Sequence, residues 1–184
     1  MALEVREAAA EDAEQIAELH ADSWRRFYRG AYSDTYLDGD VLTDRRTFWT
    51  ARLASPTANS STMVVDEGAR LAAFVHVVLD ADAEWGSLVD NLHVRHDAQR
   101  IGLGRVLLHR AAATVAERAS DRRMYLWVLE QNQNAQRFYA TLGGTKVERT
   151  CCLPPGGDAT RLNGAPSKLR IAWPDVAIPA MRAE

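Results

Sequence analysis

The stretch LVDNLHVRHDAQRIGLGRVLLHRAAATVAE, residues 88–117, decides the fold. An alternating strand runs into a polar turn, the turn carries Gly102 and Gly104, and an apolar helix pattern follows. Leu103, Val106, Leu107, Ala111, Thr114 and Val115 recur at helical spacing as a buried stripe, with Arg105, Arg110, Glu117 and Arg118 outside it. Glycine costs conformational entropy, so this pair marks a backbone that takes a positive φ or approaches something closely. A strand feeding a glycine turn and then a helix is also the geometry of an anion site. The first N–H groups of the helix are unpaired, and its dipole favours negative charge there. Gln99, Arg100 and Arg105 add donors and two positive charges. Neither common nucleotide motif fits. A P-loop needs Lys and Ser or Thr after its glycines, where Arg105 and Val106 stand. A dinucleotide fingerprint needs a small residue at Leu107 and an early strand, and this turn lies past mid-chain. Taken alone, the turn is either an anion site or a plain strand–helix junction.

Outward from this stretch, the periodicities predict a strand in LEVREA (3–8) and a helix over 11–24. A short helix and a loop follow in RRFYRGAYSDTYLDGD (25–40). Another helix covers 43–55, with Thr43 or Asp44 as its cap and Pro56 beyond its end. STMVVDEG and RLAAFVHVVLD read as a hairpin turning at Gly68, and GSLVDNLHVR (86–95) as the next strand. After the helix at 102–119, RMYLWVLE (123–130) is a nearly continuous apolar strand, which suits a central position covered on both faces. NAQRFYATLGG is a short helix stopped by Gly143 and Gly144. TKVERTCCLP and SKLRIAWPD are the last strands, joined by the turn-rich loop PGGDATRLNGAP. This order predicts an α/β or α+β mixed sheet with helices on its faces, as one domain over residues 1–184.

Composition removes several classes. Hydrophobic residues make up 47% of the 184, enough for a core, and the net charge of −3 has no basic block to suit a nucleic-acid binder. The N-terminus lacks the basic and apolar regions of a secretory leader, and no run approaches the roughly 18 apolar residues of a membrane span. The expected location is the cytoplasm, with no membrane or nucleic-acid partner. Cys151 and Cys152 adjoin, so no disulfide framework is expected, and no metal-ligand spacing accompanies them.

Two motifs in order turn the open reading into a specific one. Residues 88–117, with Gln99, Arg100, Gly102 and Gly104, resemble the acetyl-CoA-binding segment of the GCN5-related N-acetyltransferase (GNAT) superfamily. VLEQNQNAQRFYATLGG resembles the family's later block through Asn132, Ala135, Phe138, Tyr139, Leu142 and Gly143. HADSWRRFYRGAYSDTYL also resembles the opening helices of many bacterial members. Two positions depart from the pattern. His96 stands where the family often has Pro, and Gly144 where an aromatic usually follows Leu-Gly. The second departure is expected to change packing beside the acceptor pocket.

The resemblance implies a central, mostly antiparallel sheet of about seven strands with a splayed parallel pair and helices on both faces. It implies direct acetyl transfer from acetyl-CoA to an amine of a small molecule or peptide, without a metal. The pyrophosphate would rest on backbone N–H groups of Ile101, Gly102, Leu103, Gly104 and Arg105, with Gln99, Arg100 and Arg105 side chains alongside. The pantetheine arm would pair along Leu92, His93 and Val94 like an added strand, with a bulge near Asn91. An N–H at that bulge would polarise the thioester carbonyl. Asn132, Ala135 and Phe138 would line the arm, although Asn132 also reads as a plain turn residue.

An alkyl amine with a pKa near about 10 must lose a proton before it attacks. Asp90 is the nearer carboxylate, Glu84 the farther one, and a regular strand puts Asp90 on the face of Leu88 and Leu92. His93 would then point away, as a base or as a satisfied half-buried imidazole. Tyr139 matches the family's tyrosine near the thiol and would protonate it, or would simply pack. Trp24, Phe27, Tyr28 and Tyr32 fall where the family builds its acceptor pocket, although aromatics at that spacing also suit a core. A non-catalytic coenzyme A-binding sensor is the alternative function, and the exposed late strands leave room for a homodimer.

Overall fold

The computed structural model describes residues 4–178. Its seven strands form one sheet, and each lies where the apolar alternation places one. They are β1 (Glu4–Glu7), β2 (Ser60–Glu67), β3 (Arg70–Asp82), β4 (Gly86–Val94), β5 (Met124–Leu129), β6 (Thr145–Cys151) and β7 (Ser167–Trp173). The helices are α1 (Ala13–Phe27), α2 (Asp34–Asp38), α3 (Val41–Ala54), α4 (Leu103–Arg118) and α5 (Gln133–Thr141). The strand order is β1-β2-β3-β4-β5-β7-β6. All neighbours are antiparallel except β4 and β5.

Successive residues of the inner strands serve opposite layers, as period-2 side-chain alternation requires. Val65, Val75 and Val77 pack with Leu107, Leu108 and Ala111 of α4. Val64 and Phe74 pack instead with Ile16 and Ala17 of α1 and Trp49 of α3. The sheet is therefore sandwiched between helices. β5 is an interior strand, as its apolar run predicts. Met124, Leu126 and Val128 enter the α4 core, and the Arg170 guanidinium lies over Tyr125 and Trp127 on the other face.

Two local expectations are corrected. Helix α1 runs unbroken to Phe27, and the short helix of the 25–40 segment is its later part, Asp34–Asp38, capped by Ser33. Helix α3 starts at Val41, two residues ahead of the predicted cap. Asp44 caps nothing there because its carboxylate accepts from Tyr36, Arg45 and Arg161. Gly144 leaves room for the side chains of β7. A Cβ there would come within 2.6 Å of both Ile171 and Trp173, so the Trp173 indole fills the space an aromatic at 144 would take. That indole donates to Leu142 O at 2.9 Å. No helix among the described residues is long and apolar enough to cross a membrane.

Candidate active site

The cleft exists because β4 and β5 stop pairing. They are hydrogen-bonded only from Ser87–Val89 to Met124–Leu126, after which β4 follows β3 and β5 follows β7. His76 faces Asn91 while Val77 faces Val89, so Asp90 is the extra residue of a β-bulge. The bulge expected near Asn91 falls there. An open cleft of about 640 Å³ lies between the diverging strands. Its walls include Asp90, Leu92, His93, Val94, Gln99, Arg100, Gly102, Leu103, Gly104, Arg105, Asn132, Ala135, Phe138 and Tyr139, with Phe27 and Tyr28 across from them.

The bulge also overturns one expectation. Leu92 packs with the α4 core, whereas the Asp90 carboxylate accepts from Arg52 of α3 at 3.1 Å on the opposite face. One inserted residue changes the alternation phase, so Asp90 does not share the face of Leu92. It lies instead on the α1–α3 side with His93, whose Nδ1 is 2.7 Å from Ser23 Oγ of α1. Asn91 donates to the same Asp90 oxygen at 2.9 Å. Glu84 sits at the exposed β3–β4 turn and is not a wall of the cleft. Burial lowers the His93 imidazole to about 3, and the nearby Arg45 acts in the same direction.

At the glycine turn the two glycines have different causes. Gly102 is the N-cap of α4 at φ +92°, a conformation that favours glycine. A Cβ there would meet nothing within 4 Å. Gly104 carries no such backbone demand, but its Cβ would lie 3.2 Å from Phe138 Cζ. Arg100 is also left-handed, at φ +68°, which no sequence signal announced. The first bond into the helix is Val106 N–H to Gly102 O at 3.0 Å. The N–H groups of the preceding turn are thus left for another acceptor. Among the described residues neither Arg100 nor Arg105 has an ion pair, while Ile101 is exposed and lies off the cleft wall.

Helix α5 forms the other lip. Asn132 Oδ1 accepts from Ala135 N–H at 3.1 Å, an N-cap that fixes the start of the helix. Gln131 donates to Phe27 O and Arg29 O, tying this lip to the end of α1. Tyr139 is buried between Phe138 and Trp173 at ring distances of 5.2 and 6.2 Å. Burial raises its pKa, so the phenol keeps its proton.

Of the aromatics predicted at the acceptor side, Phe27 and Tyr28 reach the cleft. Trp24 and Tyr32 stand behind them. Trp24 is buried against Tyr28 and Tyr32 at 5.3 and 5.1 Å, with the Arg45 guanidinium 4.4 Å above its ring. The 153–166 loop backs this cluster. Asn163 N–H donates to Ala31 O, Ser33 N–H donates to Arg161 O, and Arg161 donates to Asp44 at 2.9 Å. Asp34 and Asp38 are held by Arg29 rather than free to attract a cation. Ser23, Trp127 and Asn134 also line the cleft and were missed. Two had a signal: Ser23 is one helical turn before Phe27, and Asn134 adjoins Ala135. No group of three or more His, Cys, Asp or Glu among the described residues is placed to hold a metal ion.

Residues 13–143 match the model of the Acetyltransferase (GNAT) family. The chain is 27% identical over 177 residues to YuaI of Bacillus subtilis strain 168, called an uncharacterized N-acetyltransferase, and 94% of each chain is covered. The PaiA N-acetyltransferase of Thermoplasma acidophilum, solved in complex with coenzyme A, superposes with a TM-score of 0.71 at 20% identity, covering 92% of this chain and 98% of that one. The yncA structure from Salmonella typhimurium, solved with its cofactor acetyl-CoA, has a TM-score of 0.64 at 18% identity over 100% and 99% of the chains.

Proposed function

This chain belongs to the acetyltransferase (GNAT) family, and from that premise we propose that it transfers an acetyl group from acetyl-CoA to a primary amine of a small molecule or protein. The observation that carries the reading is the splay of β4 from β5, which opens a cleft running up to the unpaired start of α4. The residues fit the donor. The turn offers backbone N–H groups and the guanidinium groups of Arg100 and Arg105 to a pyrophosphate. The β4 edge from Asn91 to Val94 has no β5 partner, and its peptide groups suit the amides of a pantetheine arm. When bound, acetyl-CoA supplies the activated acetyl thioester.

The chain's own residues supply the rest. The N–H groups at the bulge polarise the thioester carbonyl. Asp90 takes the amine proton, directly or through water, while Arg52 and Asn91 hold its carboxylate in place. His93 is a poor base, because an imidazole lowered to about 3 holds a proton weakly. The Tyr139 phenol, kept protonated by burial, donates to the departing thiolate. Phe27 and Tyr28 shape the acceptor side.

Thiol release from acetyl-CoA over a panel of primary amines tests the reading. Amine-dependent release is expected, and Asp90→Asn should lower kcat by about two orders of magnitude with acetyl-CoA affinity unchanged. Binding without turnover of any amine would point to a non-catalytic coenzyme A sensor. No acetyl-CoA binding at all would overturn both.

A further inference from the structure

Behind the far wall of the cleft, on the face of the sheet that carries Trp127, stands a cation that forms no ion pair among the described residues. Trp127 lines the cleft, and the Lys168 ammonium lies 4.4 Å from the centre of its ring. Lys168 sits on β7 directly opposite Leu129, which also lines the cleft. Cation–π contact holds an ammonium in place but does not neutralise it. The carboxylates that Lys168 senses are already taken. Asp90 is paired with Arg52 at 3.1 Å, and Glu148 with Arg170 at 2.7 Å. Arg170 also takes Asp82 at 3.3 Å. The neighbouring Cys152 thiol is pushed up by burial, so it stays neutral. Lys168 is half-buried, and that burial pulls its ammonium pKa down. A half-buried cation without a carboxylate is costly unless something else completes it.

We infer that Lys168 completes the acceptor site by binding a carboxylate, so that the acceptor is a primary amine that also carries a carboxylate, as an amino acid does. The inference rests on the acetyltransferase reading of the same cleft and names its substrate class. A single ammonium matches a singly charged anion. Arg52, on the Asp90 side of the cleft, and Arg170, beside Trp127, are committed to acids. Asp90 and Lys168 then divide the acceptor between them, with the amine at the bulge and the carboxylate over Trp127. The order also serves selectivity, because a diamine would bring a second positive charge against Lys168.

The test uses matched acceptors: free α-amino acids against their carboxamides and the corresponding decarboxylated amines, with acetyl-CoA binding measured in parallel by calorimetry. The free acids are expected to show kcat/KM at least tenfold above their amides. Lys168→Met should bring that ratio close to one, and Lys168→Arg should restore most of it. The ratio is internal to each variant, so partial loss of folded protein does not alter it. Equal or better turnover of the amides, turnover of the decarboxylated amines but of no carboxylated one, or a ratio that survives Lys168→Met each overturns the inference while leaving the acetyltransferase reading standing. Failure to bind acetyl-CoA would instead remove the reading beneath it.

Discussion

Gly102 and Gly104 stand two residues apart and answer different physical demands. Gly102 is needed for its φ of +92°, Gly104 for the 3.2 Å left between its missing Cβ and Phe138. Gly102→Ala should cost about 1–2 kcal/mol of backbone strain, seen as a Tm lowered by roughly 2–8 °C. Gly104→Ala crowds a ring that lines the cleft, and should weaken acetyl-CoA binding at least tenfold by calorimetry. Adding Phe138→Leu relieves the crowding. If the double variant regains its Tm but not its affinity, Gly104 serves the approach of the donor. If both return, it serves packing alone. Tyr139→Phe keeps the ring against Trp173 and removes only the phenol. Stopped-flow thiol release should show kcat lowered about 10- to 100-fold with acetyl-CoA Kd within twofold, and a parallel loss of both would make Tyr139 a packing residue. The demands of Gly102, Asn132 and Tyr139 are local and legible in the sequence. The unpaired charge of Lys168 is not, because it depends on which partners the fold gives to Asp90 and Glu148.

At the scale of elements, the strands and main helices were legible because each buries a face at its own period. What escaped was the position of the bulge relative to the alternation. The bulge inserts Asp90 into β4 and turns it toward Arg52, although a strict period-2 reading puts it beside Leu92. Helix starts escaped for a related reason. Asp44 reads as a cap, but long-range partners claim it. One of these, Arg161, pins the 153–166 loop to α3 and stacks on Tyr36 at 4.7 Å. Both members of the Arg161–Asp44 pair are partly shielded, with about a fifth of each side chain exposed. Arg161→Ala should therefore cost about 1–2 kcal/mol and release the loop. The expected signs are faster proteolysis within 153–166 and a raised acceptor KM with an unchanged acetyl-CoA KM. Equal rises in both would mean that the loop supports the whole cleft rather than its acceptor side.

At the scale of the molecule, the α1–α3 layer encloses three histidines whose charged forms are disfavoured by burial, with only Asp90 acting the other way, and on His76 alone. His20 accepts from Trp49 Nε1 at 3.0 Å, His76 Nδ1 is 2.7 Å from Thr62 Oγ1, and His93 Nδ1 is bound to Ser23. Burial dominates all three. It lowers His76 to about 4 and His93 to about 3, and it drives His20 well below its ordinary value. The arginines of α3 add to the effect, Arg52 on His20 and His76 and Arg45 on His20 and His93. The unfolded chain protonates these rings near 6.5 while the fold resists, so stability is complete above that pH and falls as the pH drops below it. Each ring contributes about 1.4 kcal/mol per pH unit, or roughly 3–5 kcal/mol for the three between pH 6.5 and 5. Carboxylates with lowered pKa values, such as Asp12 and Asp82, lose their contribution only as the pH falls through lower values. The upper window therefore belongs to the histidines. Urea midpoints at pH 7.5, 6.5, 5.5 and 5.0 should fall steeply across the last three. The double variant Thr62→Val/His76→Leu removes one ring together with its partner, and should flatten that fall by about a third. A flat profile in the parent chain would mean that the rings are hydrated enough to titrate normally. Loss of acetyl transfer below pH 6 would then reflect protonation in the cleft rather than loss of the fold.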